Sequence, residues 1–160
     1  MLAAQDVMTK LALPRPVDAV TCACDGVNYL LNDRDVLEFF KSAFAALKPG
    51  GVLAFDISNT EKLTDSGLYA EGMEEQTYLW QNEFDSEKRL LHMRLALFIR
   101  EKDGRYAKYT EEHVQKAHRL SEIQALLEKA GFGTITHVGD DYGTHDVPGG
   151  KRIYFTAVKD

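Results

Sequence analysis

Apolar positions in this chain follow two different periods, and the first switch between them defines its central unit. From Val36 to Leu47 they fall at Val36, Leu37, Phe40, Ala43, Phe44 and Leu47, the spacing of about 3.6 residues that places one broad stripe on one face of a helix. Asn32 stands where an N-cap belongs, with Asp35 in the first turn. Lys48-Pro49-Gly50-Gly51 supplies a cation, a breaker and residues free to turn left-handed at the other end. The runs on either side, Ala19 to Cys24 and Val52 to Ile57, are too short for helices and favour β structure, so they are predicted as buried strands. Two strands joined by one crossover helix make a right-handed βαβ unit of a parallel sheet, with the first strand covered on both faces. Ligands of such sheets lie beyond the strand C-termini. Here those ends carry Cys24-Asp25-Gly26-Val27-Asn28-Tyr29 and Asp56-Ile57-Ser58-Asn59.

Beyond Asn59 the period changes to two. Residues 60 to 75 are polar and read as a loop with one helical turn. Gln76 to Phe84, Leu90 to Glu101 and Arg105 to about Arg119 then read as strands. The middle one sets Leu91, Met93, Leu95, Leu97 and Ile99 against His92, Arg94 and Arg100. Turn chemistry between them, Asp103-Gly104 above all, predicts a three-stranded antiparallel meander over 76–119, an insert within a single domain of residues 1–160. Tyr78, Trp80 and Phe84 share one face of its first strand, where they either line a substrate pocket or pack, and packing is the simpler reading. Ser121 with Gln124 makes a capping-box pattern, and Ile123, Leu126, Leu127 and Ala130 form a helical stripe that Gly131 ends. Thr134 to Val138 and Arg152 to Val158 complete the chain as strands. The loop between them carries Asp140, Asp141, Tyr142, His145 and Asp146.

Composition narrows the function classes. With 160 residues the chain is one domain long and buries about 70% of its unfolded surface. A net charge of -6 and a pI near 5.4 give no basic field, so nucleic acid is not an expected partner. No apolar run approaches the ~20 residues of a membrane helix, and MLAAQDVMTK lacks a secretory apolar segment, which makes the cytoplasm the expected compartment. Cys22 and Cys24 alternate along one strand, too close to bridge, and are predicted to be reduced core thiols.

Taken in order, DAVTCACDGVNYLL, LKPGG, VLAFDIS and LSEIQALLEKAGF resemble the class I S-adenosylmethionine-dependent methyltransferases. The similarity runs along nearly the whole chain and is greatest to small-molecule enzymes with a β-rich insert. The resemblance implies a partial Rossmann-like α/β fold: a parallel sheet, an antiparallel last strand and an antiparallel three-stranded insert. It also implies S-adenosyl-L-methionine as cofactor and a small-molecule methyl acceptor. Gln5-Asp6-Val7-Met8 resemble the family's segment after its third strand, so Asp6 and the backbone near Val7 and Met8 would meet adenine, although Asp6 reads equally as a solvated residue near a chain end. Cys24, Asp25, Asn28 and Tyr29 match the fourth-strand motif and would wall the cofactor or face its methyl; otherwise they are turn formers and an edge aromatic. The family's first two strands, its glycine-rich turn and the following acid have no match. By resemblance the chain looks like the C-terminal two-thirds of the fold, with the edge of Ala19 to Cys24 left to pair with a second copy, to be covered by the insert, or to be completed by further sequence. The competing reading is a truncated, non-catalytic module that dimerises and binds no cofactor.

Methyl transfer is an in-line displacement that needs alignment and control of one proton, so few side chains must be special. No catalytic residue is assignable at this level. On the acceptor side Tyr78, Trp80, His118 and Tyr142 are candidates, each with an ordinary structural alternative. Nothing in the sequence lowers the pKa of Cys24 enough for a nucleophile. The spacing of His137, Asp140, Asp141, His145 and Asp146 fits no metal motif, and there is no G-x-x-x-x-G-K loop for nucleotide phosphates.

Overall fold

The computed structural model describes residues 8–11, 13–64, 66–139 and 151–160. Its first sheet contains β1 (Val17–Cys22), β2 (Leu47–Ser58), β7 (Thr134–Gly139) and β8 (Arg152–Val158) in the order β1-β2-β8-β7. β1 and β2 are parallel, with Val20 opposite Leu53 and Cys22 opposite Phe55, and β8 runs antiparallel to both of its neighbours. The crossover between β1 and β2 is α1 (Asp33–Ala46). Its N-cap is the expected one, since the Asn32 side chain accepts from the Asp35 N–H at 3.0 Å. Gly50 takes the left-handed conformation, φ 75°. The Lys48-Pro49-Gly50-Gly51 stretch is not a separate turn: β2 starts at Leu47 and pairs with Val17, and the register shifts between Val17 and Ala19.

A single apolar core lies between this sheet and α1 together with α3 (Leu120–Ala130), built from Val36, Phe40, Leu53, Phe55, Ile57, Ile123, Leu127 and Phe155. Phe55 and Phe155 stack with ring centroids 4.9 Å apart. Coverage of β1 is one-sided, contrary to expectation, because Val20 and Cys22 pack against the core while Asp18, Ala19 and Thr21 are exposed. Among the described strands β1 pairs with β2 alone, and the insert does not pair with it. The two cysteines also differ from expectation. The strand ends at Cys22, which is half-buried and whose thiol is pushed up to about 11 by burial and by the Asp56 carboxylate. Cys24 is exposed in a left-handed turn at φ 60°.

α3 begins one residue before the predicted cap, and Ser121–Gln124 is not the pair that closes it. The Arg119 N–H donates to the Glu122 carboxylate at 3.0 Å instead. Glu122 also receives both guanidinium nitrogens of Arg89 at 2.9 Å, so the residue that caps the helix is the one anchored from outside it. Gly131 ends the helix at φ 109°, as expected.

The second sheet has four strands rather than three: β3 (Gly67–Gly72), β4 (Gln76–Asp85), β5 (Leu90–Arg100) and β6 (Tyr106–Lys116), all antiparallel, in sequence order. The last three follow the alternation pattern. β3 falls in the predicted loop after α2 (Thr60–Leu63), because a six-residue strand with glycine at both ends has little pattern of its own and is held by its pairing with β4. Leu63, Leu91, Met93 and Ala117 make a small second core, with Trp80 and Phe84 packed against it.

Candidate active site at the strand ends

The C-terminal ends of β1 and β2 lie side by side, so the turn after one strand meets the last residues of the other. Cys24 and Asp25 adopt left-handed conformations, and a short 3-10 helix, Gly26–Tyr29, follows. This turn aims the Asp25 backbone N–H at the Asp56 carboxylate, 2.9 Å away. The Asp25 carboxylate receives the Ser58 hydroxyl at 2.9 Å and the Gln115 amide at 3.2 Å, with the Lys62 ammonium at 3.9 Å and the Arg152 guanidinium at 3.8 Å. Arg152 also bonds the Asp56 carboxylate, and Lys62 donates to the Ser58 hydroxyl at 2.9 Å. Two carboxylates and two cations thus interlock at the sheet edge, which is how charges of this kind are held when partly buried.

Asn28 is fully buried beside this network. Its amide nitrogen donates to the carbonyls of Ser58 at 3.0 Å and Lys116 at 2.9 Å, and its oxygen accepts the Ser58 N–H at 2.9 Å. Its amide therefore bridges the end of β2 to the end of β6. Tyr29 is half-buried, with its hydroxyl 3.4 Å from Nδ1 of His113. Nε2 of His113 lies 3.1 Å from the Glu111 carboxylate. Burial and the Asp25 charge raise the Tyr29 hydroxyl above the usual tyrosine range.

Of the residues predicted to hold a cofactor, Asp6 and Val7 lie outside the described residues. Met8 packs, half-buried, at the rim of the main core, and Cys24 is exposed. The side chains of Asp25 and Asn28 are engaged in the internal network. The residues that sequence reasoning passed over are Lys62, Gln115, Arg152, Glu111 and His113. A lone lysine or arginine carries no sequence signal for a site, and the spacing of two between Glu111, His113 and Gln115 in β6 is the signal that could have placed them on one face.

That face is the second wall of the site. Residues directly opposite in the insert sheet project to the same side. The register places Phe84, Leu91 and Gln115 in one row, and Asn82, Met93 and His113 in the next. Tyr69, Trp80, Leu95 and Glu111 follow, then Glu71, Tyr78, Leu97 and Tyr109. The row of Gln115 touches Asp25, and the row of His113 touches Tyr29. Farther out on the same face, Tyr69, Tyr78, Trp80, Asn82, Leu95 and Leu97 line an open cavity of about 490 Å³. Trp80 packs against the second core and also lines this cavity. Tyr78 lines it too and donates to Glu71 at 3.0 Å.

The other acceptor candidates lie elsewhere. His118 is buried, its Nε2–H donating to the Leu30 carbonyl at 2.9 Å, and desolvation holds it below the usual histidine range. It ties the chain after β6 to the loop before α1. Tyr142 lies outside the described residues, as do Asp140, Asp141, His145 and Asp146. Among the described residues no helix is long and apolar enough to cross a membrane.

No family model matches the chain. It is 29% identical over 158 residues to a Bacillus subtilis protein named "Putative methyltransferase YqeM", aligning 97% of this chain with 64% of that protein. To a protein of Geobacillus sp. (strain WCH70), also named "Putative methyltransferase", it is 31% identical, again over 97% of this chain and 64% of the relative. The chain thus spans less than two-thirds of the length of these relatives. Among solved structures, it superposes on an S-adenosylmethionine-dependent methyltransferase from Clostridium acetobutylicum with a TM-score of 0.84 and 26% identity, over 94% of this chain and 61% of the other. On an amino pentose methyltransferase from Micromonospora echinaspora, solved with S-adenosylmethionine bound, the TM-score is 0.74 at 20% identity, over 96% and 62%. These superpositions take in nearly all of this chain.

Proposed function

We propose that this chain, which shares its fold and nearly all of its length with class I S-adenosylmethionine-dependent methyltransferases, takes part in methyl transfer from that cofactor to a small molecule. The observation that carries the reading is the meeting of two walls. The ends of the parallel strands β1 and β2 form one, where ligands of such sheets bind, and the inner face of the insert sheet, tied to it through Gln115 and His113, forms the other. The residues at the first wall suit the cofactor. Exposed Cys24, half-buried Tyr29 and Met8, whose methyl lies near Gly26, are the apolar or polarisable groups about this turn that would suit a flat base and a methylsulfonium group, and the Asp25–Asp56–Arg152–Lys62 network braces the turn.

When bound, S-adenosylmethionine would supply an electrophilic methyl group for the acceptor's lone pair to attack. The protein's part is to align the acceptor and receive its proton. His113 stands between the strand ends and the cavity, oriented by Glu111 on one ring nitrogen and Tyr29 on the other, and we assign it the proton. The cavity of about 490 Å³ is of small-molecule size.

Isothermal titration of the purified protein with S-adenosylhomocysteine tests this reading, with molecular mass measured by light scattering on the same sample. Binding in the micromolar range is expected. A folded protein that binds none overturns the proposal and leaves the non-catalytic module; a dimer mass would then favour pairing through the β1 edge.

A further inference from the structure

The two faces of the insert sheet differ in charge, and the difference points to what the cavity accepts. The outer face carries His92, Arg94 and Arg100 on β5 and Lys108 and Lys116 on β6, together with Glu83, Asp85 and Glu112. The inner face has no lysine or arginine at any paired position of β3 to β6. Its full charges are Glu71 and Glu111, and its aromatic residues are Tyr69, Tyr78, Trp80, Phe84 and Tyr109. Glu71 is directly opposite Tyr78, and Glu111 directly opposite Leu95, so each carboxylate flanks a residue of the cavity wall.

We infer that the cavity takes an organic amine with an apolar body, bound as its ammonium ion. This assignment rests on the proposed methyl transfer and names the acceptor class of that same site. Aromatic faces attract a cation through their quadrupoles, and two carboxylates on a face with no lysine or arginine at its paired positions add a negative potential beside the cavity. Leu95 and Leu97 give the apolar floor. Both carboxylates repel an anionic acceptor, and a neutral one gains from Glu71 and Glu111 only the weaker hydrogen bond of an uncharged donor. For transfer, the ammonium gives one proton to the neutral imidazole of His113. The freed nitrogen lone pair then forms the new N–C bond as the C–S bond of S-adenosylmethionine breaks with its electron pair going to sulfur. The products are the methylated ammonium ion, S-adenosylhomocysteine and a protonated His113, which releases its proton to solvent.

Trp80 is the chain's single tryptophan and lines the cavity, so its fluorescence reports occupancy without any turnover. Phenethylamine, phenethyl alcohol and 3-phenylpropionate at pH 7 form a matched series of cation, neutral and anion. Quenching is expected with phenethylamine binding about tenfold or more tighter than the alcohol, and the propionate weakest. In Glu71→Gln/Glu111→Gln, which removes both charges but keeps an acceptor oxygen for Tyr78 and for His113, amine and alcohol should bind within about twofold of each other. Equal binding of all three probes, preference for the anion, no binding, or an amine preference that survives the double substitution would each overturn the inference. S-adenosylhomocysteine titration of the same samples keeps the outcomes apart: cofactor binding without amine selectivity rejects the acceptor class and leaves the methyltransferase reading standing.

Discussion

Replacing Asn28 with alanine tests whether the strand-end site is one cooperative unit. The side chain is fully buried, and its three hydrogen bonds span 2.9 to 3.0 Å. The partners fix the amide's orientation, because the Ser58 N–H can only donate and the carbonyls of Ser58 and Lys116 can only accept. Truncation leaves one buried donor and two carbonyls without this partner. At about 1 kcal/mol of net stability per bond, with a larger penalty for the stranded N–H, the loss should be roughly 2–4 kcal/mol. For a domain of this size that lowers Tm by roughly 5–15 °C. Asn28→Asp is the sharper probe: it keeps the acceptor for Ser58 N–H but turns a carboxylate toward two carbonyl oxygens, and should cost at least as much as alanine despite being isosteric. Urea denaturation followed by circular dichroism gives both values. A loss below about 1 kcal/mol for alanine, or an aspartate variant as stable as the wild type, would show that Asn28 does not hold the end of β2 to the end of β6.

Other consequences are open to equally direct measurement. His118 stays neutral in the folded state because burial lowers its pKa from the 6.5 of the unfolded chain; stability is therefore intact above that pH and falls as pH drops below it toward the folded value, by at most about 1.4 kcal/mol per unit. In His118→Gln the urea midpoint should lose this component between pH 7.5 and 5.5. The pair of Arg89 and Glu122, each side chain 24% exposed, should show a coupling of about 1 kcal/mol in a double-mutant cycle, and Glu122→Ala should cost more than Arg89→Ala because it also uncaps Arg119. Gly131→Ala meets a φ of 109° and places a Cβ 3.1 Å from the Phe44 ring, so thermal melts should show a loss of about 1–2 kcal/mol. Asp56→Ala leaves Arg152 with only its 3.8 Å contact to Asp25, strands the Asp25 N–H and should destabilise by about 3 kcal/mol; Asp56→Asn keeps an acceptor for Asp25 and should retain more of the S-adenosylhomocysteine affinity when the two are titrated side by side.

The sequence by itself determined whatever depends on neighbours along the chain. The helix between Asn32 and Leu47 was legible because its cap, its stripe and its breakers act within a few residues of one another, and Gly131 ended the last helix for the same reason. Alternation in β5 and the shared face of Tyr78, Trp80 and Phe84 in β4 sorted residues of these strands into two faces, since period two is a property of a single strand; β6 was legible as a strand alone. Which face turns toward the ends of β1 and β2 is a property of the assembly. Tyr78 and Trp80 were visible as a pair, but not that Glu111 and Tyr69 stand in the same row. β3 was missed because its stability comes from hydrogen bonds to β4, and the cap of α3 because Glu122 is held by Arg89, 33 residues away. The salt-bridged network is the extreme case: Arg152 and Asp56 are 96 residues apart, and no local preference joins them. Only the tertiary structure brings them together, because a partly buried carboxylate finds a partner wherever the fold delivers one, whatever its place in the chain.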